Sequence, residues 1–162
     1  MKLLKISSVL FAIFCSTASF ADHHMPKTSF GWYGVTGNFK QITPTKIFWS
    51  GEFSGSMFAD DANSPLHEAS LRCPAWQDID FEKNTATLAG YCLVIDKKGN
   101  KASMEWSGTG TANPPTSGGS WKWVSGDGPY ADLAGKSGGN WRGLTGANWP
   151  DGVATGVAYW NK

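Results

Sequence analysis

Apolar and polar residues alternate in short runs along most of this chain. Between residues 46 and 58, Trp49, Gly51, Phe53, Gly55 and Met57 fall on one face of an extended segment, while Ser50, Glu52, Ser54 and Ser56 fall on the other. Period two marks a half-buried strand. The same reading sets Met104 and Trp106 against Ser103, Glu105 and Ser107, and puts Trp121 and Trp123 on a shared face. Eight strands are predicted, at residues 29–37, 46–58, 66–74, 85–95, 101–110, 119–125, 136–144 and 152–161. No window sustains a helical period. Asp96-Lys97-Lys98-Gly99-Asn100 joins the fourth and fifth strands as a hairpin turn, Gly99 supplying the positive φ that such connections use.

No link between strands is long enough for a crossover helix, so the sheet is expected to be antiparallel. Eight antiparallel strands in an open sheet would leave two bare edges, and closure removes both. The predicted fold class is therefore all-β: an eight-stranded antiparallel up-and-down barrel with one disulfide, preceded by a signal peptide. An eight-stranded barrel has an interior just wide enough to be filled by side chains or to hold one small ligand.

The first segment breaks this pattern. Lys2 and Lys5, an apolar stretch from Val9 to Phe14, and Ser19-Phe20-Ala21 before Asp22 form an export signal at residues 1–21. That stretch is far short of the roughly 20 apolar residues of a membrane helix, so no integral membrane segment is expected after cleavage. Export leaves about 140 residues, enough for one core, read as a flexible tail at 22–28 and a single barrel domain at 29–162. The expected location is periplasmic or secreted. An outer-membrane barrel would need a continuous apolar lipid-facing band, and serine and glycine interrupt these strands too freely.

Composition narrows the partners. The chain has 14 basic and 13 acidic residues, and the signal removes two of the basic ones. No basic patch of the kind nucleic-acid binders carry is visible. Cys15 leaves with the signal, and Cys73 and Cys92 remain; in an oxidising compartment such a pair is read as a disulfide. In a hairpin turning near residues 82 and 83 they lie opposite each other.

Candidate chemistry falls in three places. The aromatic and thioether side chains Trp49, Phe53, Met104, Trp106, Trp121 and Trp123 are expected to face inward and to bind a small apolar or ring-bearing molecule, as ligand sites are mostly apolar with a few placed polar groups. Glu52 and Glu105 are catalytic candidates if the polar faces line the lumen, because two enclosed carboxylates separate in pKa and suit proton transfer. After cleavage, the free amine of Asp22, the next two backbone amides and the His24 imidazole form a square-planar nitrogen set suited to Cu(II) or Ni(II), with His23 adjacent. Beyond that tail no motif requires a cofactor. His67 alternates with Ala69, Leu71 and Cys73 and is expected on the disulfide face as a structural residue.

Leu66-His67-Glu68 leading to Cys73-Pro74, then Asp78-Ile79-Asp80, Gly90-Tyr91-Cys92, the turn at 96–100, Trp106 to Gly110 and the glycine-rich stretch Gly126 to Gly135 resemble bacterial exported proteins with an allene oxide cyclase barrel-like, calycin-like fold. The resemblance spans Phe48 to Gly146 and departs from the family pattern at Asp127, where a threonine is usual. It implies a barrel whose cavity binds, isomerises or cyclises small apolar molecules. Its motifs are turn glycines and a cysteine pair, so no catalytic residue is carried over. The expected function is lumenal binding of a small apolar ligand, with an isomerase or cyclase using the same cavity, or metal binding at the tail, as alternatives.

Overall fold

The computed structural model describes residues 27–146 and 153–160. Eight strands occupy them: β1 Lys27–Thr43, β2 Lys46–Ala59, β3 Ala69–Asp80, β4 Thr85–Ile95, β5 Lys101–Gly110, β6 Gly118–Gly126, β7 Ser137–Gly146 and β8 Val153–Trp160. Each pairs antiparallel with its neighbours in sequence, and β1 pairs with β8 to close the barrel. The fold is the all-β, eight-stranded up-and-down barrel that the alternation predicts. One short 3-10 helix, Gly128–Leu133, lies between β6 and β7. Among the described residues no helix is long and apolar enough to cross a membrane.

Strand limits follow the pattern most closely where turns are strongest. β4 and β5 coincide with the expected segments, and the Asp96 carboxylate organises the turn between them. It accepts bonds from the backbone N–H groups of Lys98 at 2.8 Å and Asn100 at 2.9 Å, and from Asn100 Nδ2 at 2.8 Å, while Gly99 takes φ +86. Burial alone would raise the Asp96 pKa, but the Asn100 side chain and the surrounding N–H donors outweigh it and hold the group below the ordinary carboxylate value.

β1 and β3 depart furthest from expectation. β1 starts at Lys27, so the last two residues of the expected tail are strand, and it runs on to Thr43. β3 begins at Ala69 rather than 66 and continues through Pro74 to Asp80. Proline supplies no ladder donor. The β3–β4 ladder accommodates it by passing from the Arg72–Leu93 pair directly to Ala75–Gly90.

The skipped positions hold the disulfide. Cys73 and Cys92 face each other across β3 and β4, Cα to Cα 4.1 Å, and are bonded. The closed loop is worth roughly 3 kcal/mol in the chain-entropy model. His67 does not share their face. It sits in the turn before β3, with Nδ1 2.8 Å from the Ala59 carbonyl oxygen, because Glu68 takes a left-handed φ of 61 and breaks the alternation there.

The connections β2–β3, β4–β5 and β6–β7 gather at one end of the barrel and cap it. Leu66 and Tyr130 are fully buried there. The Tyr130 hydroxyl donates to the Pro65 carbonyl at 2.9 Å, tying the 3-10 helix to the β2–β3 loop. Burial, with the nearby charges of Asp96 and Asp127, pushes its pKa well above the ordinary phenol value.

Candidate functional site

Inward positions carry the core: Phe30 from β1, Trp49, Phe53 and Met57 from β2, Leu71 from β3, Leu88 and Val94 from β4, Met104 and Trp106 from β5, Trp121 and Trp123 from β6, and Trp141 from β7. So many large rings fit one narrow barrel because glycine faces them. A Cβ added at Gly138 would run into the Trp121 ring, at Gly156 into Phe30, at Gly108 into Trp141, and at Gly37 or Gly51 into Trp49. Each aromatic therefore occupies the place of a side chain that its neighbour lacks.

The rings form a connected stack. Trp32 lies nearly parallel to Phe53 at 5.0 Å and tilts against Trp106 at 5.6 Å. Trp106 meets Trp141 edge to face at 5.6 Å, and Trp121 meets Trp123 at 5.2 Å. These are the offset and T-shaped contacts that aromatic quadrupoles favour.

Midway along the barrel the stack leaves a cavity of about 50 Å³, lined by Phe30, Trp32, Met57, Leu71, Cys92, Met104, Trp106, Trp121, Trp141 and Ala158. No lining side chain is ionisable, since Cys92 is in the disulfide. Trp32 alone among them is only half-buried; the rest are buried.

Of the six expected ligand-binding residues, Met104, Trp106 and Trp121 line this hollow. Trp49 and Phe53 pack together at 4.8 Å, with Phe53 stacked on Trp32. Trp123 packs at the capped end, 5.5 Å from Tyr130 and 5.4 Å from Trp160. Sequence reasoning missed Phe30, Trp32, Met57, Leu71, Cys92, Trp141 and Ala158 as lining. Their signal was the alternation itself, together with a glycine opposite each of Phe30 and Trp141.

Glu52 and Glu105 lie on the outer face and do not meet. Glu52 is ion-paired with Arg72, and Glu105 with Lys122 at 2.9 Å. The Glu52 carboxylate raises the Arg72 pKa, chiefly by hydrogen bonding, and Glu105 does the same to Lys122. Asp22, His23 and His24 lie outside the described residues, as does the signal segment. Among the described residues no cluster of three or more His, Cys, Asp or Glu is arranged to hold a metal ion.

No protein-family model, curated protein or solved structure matches this chain.

Proposed function

We propose that this chain is an exported binding barrel that holds a small, mainly apolar molecule in its lumen. The observation that carries this reading is the hollow between Trp32, Trp106, Trp121 and Trp141, which lies within a closed barrel and is lined without a charge. Apolar cavities in proteins stay dry and take up apolar guests; one of about 150 Å³ accepts benzene. A hollow of about 50 Å³ suits a molecule of a few heavy atoms, and a larger one if Trp32 turns outward. The Cys73–Cys92 disulfide supports an oxidising compartment. The kinship with allene oxide cyclase barrel-like proteins rests on the motifs alone. An isomerase working in this lumen would need an ionisable group there, and the lining offers none, so binding is the reading the geometry favours.

Native mass spectrometry of protein recovered from its own periplasm tests this. The expected result is a reproducible small mass that is retained under gentle conditions and lost on denaturation. A bare mass under all conditions, with no uptake of added xenon or small hydrocarbons, would overturn the proposal.

A further inference from the structure

The indole N–H groups of Trp106, Trp121 and Trp123 are buried and find no hydrogen-bond acceptor among the described residues. The contrast with Trp141 is direct, since its Nε1 donates to the Ser107 carbonyl at 3.1 Å. A buried donor with no acceptor forfeits the bonds it makes to water in the unfolded chain. Native interiors rarely leave one so, and each such group calls for an explanation. Three in one barrel form a group.

Two of the three share a place. Trp106 and Trp121 are direct partners across β5 and β6, and both line the central cavity. Their edge-to-face contacts with Trp141 and Trp123 offer only aromatic faces, which accept hydrogen bonds weakly. What this cross-strand pair lacks is an acceptor, and the cavity beside it is where one would arrive.

Resting on the binding reading above, we infer that the lumenal ligand carries a hydrogen-bond acceptor, a carbonyl or ether oxygen, received by the indole N–H of Trp106 or Trp121. The rest of the ligand is apolar, as the lining is. Both nitrogens lie within the wall, so receiving the acceptor requires one of the two indoles to rotate its edge toward the hollow. This selects small ketones, aldehydes, esters or cyclic ethers over hydrocarbons of the same shape.

The test uses full-length mature protein with ¹⁵N-labelled tryptophan and two matched probes, 2-butanone and 2-methyl-1-butene, which differ in a carbonyl oxygen against a methylene. Trp106→Phe and Trp121→Phe assign the indole signals. The expected result is a saturable downfield shift of the Trp106 or Trp121 Hε1 with 2-butanone and none with the alkene. In the corresponding Phe variant the preference for the ketone over the alkene should fall about fivefold, the worth of one net hydrogen bond.

If the alkene binds but the ketone does not, or the ketone binds without moving either Hε1, the acceptor inference is overturned while the binding barrel stands. If neither probe enters, the binding reading itself fails. Cross-relaxation of both Hε1 protons with long-lived water before any probe is added would identify water as the acceptor and also overturn the inference.

Discussion

At the scale of single residues, the barrel depends on pairing large with absent side chains. Gly138 is the extra residue at the bulge between the Trp121–Gly139 and Lys122–Ser137 pairs. There the Trp121 ring lies where a Cβ would project. The indole packs edge to face on Trp123, so retreat from an added methyl would break that contact. Gly138→Ala should therefore destabilise the fold by roughly 2–3 kcal/mol, in the range of overpacked cores. Combining it with Trp121→Phe should recover part of that loss, because a smaller ring leaves space for the methyl. Urea denaturation of the two single variants and the double variant checks the argument. Additive losses would show that the ring and the glycine are not coupled.

At the scale of elements, the turn between β4 and β5 illustrates how local chemistry fixes a strand boundary. Asp96 is buried with its carboxylate oxygens filled by donors, and its pKa is held down in the fold. A depressed carboxylate contributes stability that is fully present above its unfolded value of about 3.9 and is lost as pH falls through the lower folded value. Asp96→Asn puts an amide donor where one carboxylate oxygen now accepts. The variant should be less stable at pH 7 by roughly 1–2 kcal/mol, and the gap from wild type should narrow at pH 3; denaturation at the two pH values measures both. This turn is also why β4 and β5 were fully legible in the sequence: Asp, Gly and Asn stand where a tight hairpin needs them. β1 and β3 were less legible. Asn38, Lys40 and Gln41 show no apolar face because that half of β1 is exposed on both sides, and Pro74 reads as a strand end although the ladder with β4 skips that position and resumes at Ala75. The inward set was readable from alternation, as Met104, Trp106 and Trp121 show. Which inward residues meet at one level was not. That depends on the stagger of the strands, set by bulges at Gly34/Thr36, Ser103/Met104 and Trp121/Lys122, each of which adds one residue to one strand and shifts its alternation locally.

At the scale of the whole molecule, closure of the sheet and capping of one end leave little freedom for a guest to enter. The end bearing Leu66 and Tyr130 is packed and tied by the Tyr130–Pro65 bond. The disulfide locks β3 to β4 on one side of the hollow. Trp32 is the one lining residue that also reaches solvent, and it is held by stacking on Phe53 and contact with Trp106 rather than by enclosure. Entry past Trp32 is therefore the route that disturbs the barrel least, and the Trp32 indole sets the size of what fits. Trp32→Ala removes that ring from the wall. Because the residue is only half-buried, the loss of stability should fall below the 3–5 kcal/mol of a buried Trp→Ala change, at roughly 2 kcal/mol. The lumen should then accept molecules of indole size that wild type excludes, and should take up small probes faster. Isothermal titration with free indole against both proteins separates the possibilities. Binding to the variant alone supports Trp32 as the limiting wall, equal binding to both would show that the hollow already opens without it, and binding to neither would mean that the core collapses into the space the indole leaves.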